Sequence, residues 1–295
     1  MAMKSGIIVC NRYCKIPVML KQAERLKYEL ERLGAKVKIV DNGYLFNLAS
    51  NGEIQSCLSG VDFCLFLDKD RYTSDAIELL GIRVFNPSKS ITNCDDKMLT
   101  YLSLVNKGIK MPKTISSPLC YTDNEITLDE ITEIERFLSY PIVVKLSFSS
   151  MGKGVFLAND KNELYTLCNK YKKDAKIFQE FIKTSKGRDV RIIVIGGKYL
   201  CGYERNSLGA DFRSNVALGG NGVKIAPSEK FIKMAEKTAK ALNLDYMGCD
   251  IMYGEDNEPI LCEVNSNAFF EMAEEITGVN VAKAYAEHIL KTIRS

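Results

Sequence analysis

The run Gly248-Cys249-Asp250-Ile251-Met252-Tyr253, the polar stretch Gly254-Glu255-Asp256-Asn257-Glu258, and the run Pro259-Ile260-Leu261-Cys262-Glu263-Val264-Asn265 read as two β-prone strands joined by a turn. Centring a two-residue turn on Asp256-Asn257 sets Asp250 directly across from Glu263, with β-carbons about 5 Å apart. Asn265, two residues further, projects from the same face. Facing like charges destabilise a ladder unless a cation lies between them. Two carboxylates and an amide oxygen form a hard-oxygen set, suited to Mg2+ that keeps waters and accepts phosphate oxygens. The alternative is an exposed acidic face. The neighbours Cys249, Ile251, Cys262 and Val264 are expected to be buried, which favours the metal. Register decides the matter, because a slip of one residue exchanges the two faces.

Outward from this hairpin, Lys145 ends the apolar run Pro141-Ile142-Val143-Val144-Lys145-Leu146. Lysine is seldom buried alone, so it either snorkels to water or faces a fixed anion. The segment Ser147-Phe148-Ser149-Ser150-Met151-Gly152-Lys153-Gly154 follows, and Ser149 and Gly152 are its candidates for bringing backbone N–H groups to phosphates. It lacks the glycine spacing and the terminal Ser or Thr of a Walker A loop. Alone, it fits a mobile hairpin equally well. Gln179-Glu180-Phe181-Ile182 offers a strand end to an adenine edge, and Asp189 in Gly187-Arg188-Asp189-Val190-Arg191 can accept from ribose hydroxyls. Asp211-Phe212-Arg213-Ser214-Asn215, before Gly219-Gly220, supplies Arg213, a forked and permanently charged donor for phosphate or carboxylate. Singly, these last two segments also fit surface loops.

The first 90 residues alternate strand and helix. Ile7 to Cys10, Val37 to Val40 and Phe63 to Leu67 are short apolar runs, and Pro17 opens a helix with apolar positions Met19, Ala23, Leu26, Leu30 and Leu33 before the stop at Gly34. This predicts a small parallel sheet. The loops Asn11-Arg12, Asp41-Asn42-Gly43 and Asp68-Lys69-Asp70 lie where such sheets bind ligands, or are solvated turns. A boundary is expected near Asn86-Pro87-Ser88. Beyond it come helices near 97–107, 128–138, 163–171, 229–242 and 281–293. Strands are expected near 142–146 and 155–157, and an antiparallel pair at 191–194 and 199–203. No internal repeat or low-complexity segment is present.

The 295 residues are 46% hydrophobic and 26% charged, ordinary for a globular chain of about two domains. A net charge of +3 is too small for a nucleic-acid field. No apolar run approaches the roughly 18 residues of a membrane span, and no secretory leader is expected at the start. Ten scattered cysteines without a C-x-x-C pair suggest reduced thiols in a cytoplasmic protein. A single histidine, His288, leaves no material for a catalytic triad or a His-rich zinc site.

In this order the segments resemble the ATP-grasp superfamily, and within it the RimK-type carboxylate–amine (α-L-glutamate) ligases. The matching pieces are Asn86-Pro87, Asp96-Lys97, Gly108 to Pro112, Pro141 to Lys145, the glycine loop through Gly154, Gln179 to Ile182, Gly187 to Arg191, Asp211 to Asn215, Gly248 to Asp250, and Cys262 to Asn265. The resemblance implies an α/β and α+β protein: an N-terminal Rossmann-like domain over 1–90, then an ATP-grasp domain over 91–295 with lobes 91–183 and 184–295. It implies Lys97 and Lys145 on the phosphates of ATP, Glu180-Phe181 on adenine, Asp189 on ribose, and Asp250, Glu263 and Asn265 on two Mg2+ ions, or Mn2+. It further implies Arg213, with Ser214 and Asn215, facing the transferred phosphoryl group, Arg213 and Asn215 acting in catalysis. A carboxylate would attack the γ-phosphate and an amine would attack the resulting acyl phosphate, both substrates being small molecules or peptides. Three positions depart from the RimK pattern: Leu218 where a basic residue usually stands, Asn267-Ala268-Phe269-Phe270 in place of Ser-Pro-Gly, and Asp68-Lys69-Asp70 in place of an arginine. All lie near the expected substrates, so the acid and amine stay open, as does a homo-oligomeric state. A bicarbonate-using carboxylase or carbamoyl-phosphate-forming enzyme, and a nucleotide-binding module without turnover, are the other readings.

Overall fold

The computed structural model describes residues 3–14, 16–45, 47–150, 152–207, 212–213 and 221–294. In the N-terminal part, β1 (Ser5–Cys10) leads into α1 (Pro17–Arg32), whose first turn is set by Pro17 and whose stripe Met19, Ala23, Leu26 and Leu30 is buried. Gly34, at φ +89°, makes the left-handed turn that ends it. The chain continues through β2 (Lys36–Asp41), a small hairpin of β3 (Asn47–Ser50) and β4 (Glu53–Ser56), β5 (Phe63–Phe66), α2 (Arg71–Leu79) and β6 (Arg83–Phe85). Four of these strands form a parallel sheet ordered β2-β1-β5-β6. The expected parallel sheet is present, with β6 and the separate hairpin added to it.

The middle of the chain runs through α3 (Ser88–Asp95), α4 (Lys97–Leu104), β7 (Thr114–Ser116), α5 (Leu128–Glu135), β8 (Ile142–Leu146), β9 (Val155–Ala158), α6 (Lys161–Lys170) and β10 (Lys176–Glu180). Its sheet is antiparallel, ordered β7-β10-β8-β9, and α5 and α6 cover one face through Ile131, Leu164 and Cys168. The last part carries β11 (Arg188–Ile195), β12 (Lys198–Asn206), β13 (Asn221–Lys224), α7 (Glu229–Ala241), β14 (Tyr246–Tyr253), β15 (Pro259–Asn265), α8 (Glu271–Thr277) and α9 (Val281–Thr292). These five strands form an antiparallel sheet ordered β13-β12-β11-β14-β15.

Alternation sorts that sheet's faces. Val190, Ile192, Val194, Cys249 and Ile251 pack on α7 through Phe231, Ala235 and Ala239. On the other face Ile193, Cys201 and Tyr203 join Phe270, Ala273, Tyr285 and Ile289, and the same cluster includes Ile8, Leu26 and Leu30. The last helix therefore packs against the N-terminal part, and a single core crosses the expected boundary at residue 86. Asn86 reinforces the junction: its amide donates to Tyr246 O (2.8 Å) and Ser266 O (2.7 Å) and accepts from Asp245 N (2.7 Å) and Tyr246 N (2.9 Å). His288 supports the same junction through Asp245 Oδ1 at 3.0 Å. Among the described residues no helix is long and apolar enough to cross a membrane, and no disulfide joins any of the ten cysteines.

Candidate active site

The β14–β15 hairpin sets Asp250 opposite Glu263, as expected, by a route that differs from a two-residue turn. The turn is wider: Asp256 and Asn257 are left-handed (φ 53° and 58°) and Gly254 N donates to Glu258 O at 2.7 Å. Pairing then begins at Tyr253–Pro259 and continues to Ile251–Leu261, one residue out of the expected register. A bulge at Cys262 restores it before Asp250. The bulge also corrects the expected burial of Cys262: Cys249, Ile251 and Val264 are buried, whereas Cys262 turns with Glu263 toward a cleft.

Asp250 is not held there by a facing carboxylate alone. On its other side it pairs with Arg191 of β11, whose Nη2 lies 2.8 Å from Oδ2 and whose Nε bonds Oδ1. Arg205 of β12 adds a third contact, Nη2 to Asp250 Oδ2 at 2.8 Å, and grips Asp189 through Nε (2.7 Å) and Nη2 (2.5 Å). All four side chains are nearly buried, and the charges of the two acids and two guanidinium groups balance. Burial would raise the carboxyl pKa of Asp250, but Arg191 and Arg205 outweigh it and hold the group below the ordinary carboxylate range.

Two features of the site were not expected from the sequence. The charge on Asp250 is answered by arginines of the same sheet, so the facing acids do not by themselves require a metal. Both oxygens of Asp189 are engaged by Arg205, and Asp189 still lines the cleft. Arg205 was missed because a two-residue Gly196-Gly197 turn places Asp189 opposite Glu204; a bulge beyond Ile193 moves Arg205 into that position.

The antiparallel β7-β10-β8-β9 sheet forms the other wall. Lys145 is buried at the end of β8 with the Cys262 sulfur at 4.0 Å, and burial pushes that thiol up to about 11. Among the described residues no carboxylate forms an ion pair with Lys145, although burial is outweighed by the field of Cys262, Tyr101, Glu263 and Asp250, which holds its pKa above the usual lysine value. Lys97, at the start of α4, donates to Ser149 O at 2.6 Å and lies 3.7 Å from Glu263 Oε1. Burial holds its pKa below the usual lysine value, only partly offset by Glu263. Gln179 is buried against Thr114 Oγ1 (2.9 Å), and Glu180 Oε1 accepts from Lys113 N at 3.0 Å. Phe181 meets Phe212 edge-on, ring centres 6.0 Å apart.

One cleft is lined by Lys97, Lys145, Ser149, Gly152, Gln179, Glu180, Phe181, Ile182, Asp189, Arg213, Asp250 and Glu263, which brings together twelve of the fifteen residues expected from the sequence. Asn265 pairs with Gly248 on the Glu263 face of β15 but does not line the cleft. Ser214 and Asn215 lie outside the described residues, as do Leu218 and Gly219-Gly220. Arg213 donates to Gly152 O at 2.8 Å, so it meets the glycine loop where the sequence suggested a phosphoryl group.

These residues also define a family. A family description for the RimK-like ATP-grasp domain matches residues 94–289, and the chain belongs to that family. It is 33% identical over 227 residues to human N-acetylaspartylglutamate synthase A, covering 77% of this chain and 57% of that protein. It is 34% identical over 229 residues to β-citrylglutamate synthase B of Danio rerio, covering 77% and 55%. The chain thus spans a little over half the length of these curated relatives. The ATP-grasp ligase PsnB, solved with a minimal precursor, Mg and ADP, superposes with a TM-score of 0.69 at 14% identity over 98% of both chains, which shows the shared fold.

Proposed function

We propose that this protein is an ATP- and Mg2+-dependent ligase that activates a carboxylate as an acyl phosphate and joins it to an amine. The observation that carries the reading is the pair of buried lysines, Lys97 and Lys145, facing Glu263 across a cleft that also exposes the strand end Glu180 to Ile182. Two buried ammonium groups share one nearby carboxylate, Glu263, which leaves positive charge for a further anion to complete. A triphosphate supplies that anion. Phe181 and the backbone of Glu180 to Ile182 would take the adenine, and the 147–154 loop would cover the phosphates.

The donor set fits a hard cation. A carboxylate has about four lone-pair positions, and arginines occupy three on Asp250, leaving one. The Glu263 side chain is a third exposed, and its one ion pair among the described residues is with Lys97 at 3.7 Å. Glu263, Asn265 and the remaining position on Asp250 would hold Mg2+ or Mn2+, and the two oxygens of Glu263 allow it to serve two ions. When bound, the metal neutralises phosphate charge and orients it for in-line attack. Lys97 and Lys145 would fix the phosphates, and Arg191 and Arg205 would fix Asp250. Such chemistry requires positioning and charge neutralisation more than a dedicated base.

The names of the two relatives pair an acid with glutamate, which supports an amino acid as one substrate. Unbridged cysteines support a reducing, cytoplasmic setting. The reading also takes 1–90 as a Rossmann-like domain ahead of lobes 91–183 and 184–295. The test is phosphate release over a grid of acids and amines. Release requiring both supports the ligase; release with bicarbonate and no organic acid points to a carboxylase-like enzyme; tight nucleotide binding with no release under any mixture defeats both.

A further inference from the structure

The bulge at Cys262 decides which side chain meets Asp250. Pairing runs from Tyr253–Pro259 to Ile251–Leu261, and without an extra residue it would continue by setting Cys262 across from Asp250. With the bulge, Glu263 takes that place. A shift of one residue exchanges the faces of a strand, so the carboxylate reaches the cleft only while the bulge is kept. β15 is an edge strand of its sheet, and its outer backbone groups need partners from elsewhere. The stretch 101–110 supplies two of them. The Tyr101 hydroxyl donates to Cys262 O at 2.8 Å, at the bulge itself, and Leu261 N donates to Lys110 O at 2.9 Å.

Tyr101 stands one turn after Lys97 on the same face of α4. Two side chains of one helix face thus meet consecutive residues of β15: Tyr101 the Cys262 carbonyl, and Lys97 the Glu263 carboxylate at 3.7 Å. The helix is itself fixed. Asp96 caps it through Met98 N (2.8 Å) and Leu99 N (3.2 Å), and Thr100 Oγ1 donates to Asn93 O at 2.8 Å. Tyr101 is buried, and burial pushes its phenol up to about 12, so the hydroxyl keeps its proton to donate near neutral pH. Gln179 acts on the same hydroxyl and holds its own bond to Thr114 Oγ1 at 2.9 Å. We infer that the Tyr101 hydroxyl is a positioning group for the metal ligands, holding the bulge that sets Glu263, rather than Cys262, across from Asp250. This rests on the metal assignment of the ligase reading above, and Tyr101 acts in it only through the backbone of β15.

Calorimetry with a non-hydrolysable ATP analogue, with and without Mn2+, measures how far the metal tightens nucleotide binding. Tyr101→Phe keeps the ring and removes only the hydroxyl. It should shrink that Mn2+ effect by about 10-fold, the scale on which groups that orient metal ligands act, with affinity for the metal-free analogue unchanged. Thr100→Val removes the neighbouring hydroxyl of the same helix, which bonds Asn93 O and not β15, and so reports a general loss of stability. Its Mn2+ effect should match wild type even where its melting temperature falls as far. An equal Mn2+ effect in wild type and Tyr101→Phe, with Glu263→Gln abolishing it, overturns the inference and leaves the metal assignment standing. A loss shared equally by Thr100→Val also overturns the inference. A Mn2+ effect that Glu263→Gln leaves intact overturns both.

Discussion

The two walls of the cleft treat charge in opposite ways. On the five-stranded sheet every buried charge is paired: Asp189 with Arg205, and Asp250 with both Arg205 and Arg191. On the opposite side, among the described residues, the buried Lys145 of β8 has a neutral thiol at 4.0 Å, and Lys97 at the start of α4 has a backbone carbonyl and the Glu263 carboxylate at 3.7 Å. Paired buried ions fix geometry and bring little net stability; an unpaired buried ion lowers stability until a ligand completes it. The first wall is therefore a frame that fixes Asp250 and Asp189, whereas the second sets two ammonium groups against one carboxylate.

Substitutions can break that contrast, and the largest effect should fall on turnover. Glu263→Gln removes the carboxylate facing the buried Lys97 and should lose about 10³-fold in kcat in the phosphate-release assay, with Lys97 still bonded to Ser149 O. Asp250→Asn should act on stability as well, because it leaves two buried guanidinium groups facing one acid. A loss of about 3–5 kcal/mol in urea unfolding is expected. Its pH dependence follows from the sign of the shift. The folded-state pKa of Asp250 is depressed, so the carboxylate contributes in full above the unfolded value of 3.8 and that contribution fades as pH falls below it. The gap between wild type and Asp250→Asn should be constant from pH 8 to about 5 and shrink below about 4. Lys145→Met should act mainly on binding: nucleotide affinity by calorimetry weaker by about 10- to 100-fold, with a smaller change in melting temperature than Asp250→Asn. Cys262→Ser should do least, within about twofold in kcat/KM, since the thiol is neutral near pH 7.

The contrast was only half legible in the sequence. Lys145 stood out because an apolar run ending in lysine is unusual, and Asp250 and Glu263 because facing acids are. Helices were readable where a start or stop marks them, as Pro17 and Gly34 do around α1. Short elements without an apolar period, α3, α8 and β7, left no comparable trace. The arginine frame was hidden for a different reason. Two bulges, at Cys262 and beyond Ile193, decide which side chains meet, and neither disturbs the apolar alternation that reveals strands. The expected register at Asp250 was reached because an assumed narrow turn and an unseen bulge offset each other. No such offset operates at Asp189, and its partner Arg205 went unseen.

The central claim is that this cleft transfers a phosphoryl group to a carboxylate oxygen, and oxygen tracing tests it most directly. With the accepted acid labelled with 18O in its carboxyl group, ATP and amine, the released phosphate should carry one 18O atom per turnover, and Glu263→Gln should abolish that label. Phosphate released free of label by the wild-type protein would contradict the account.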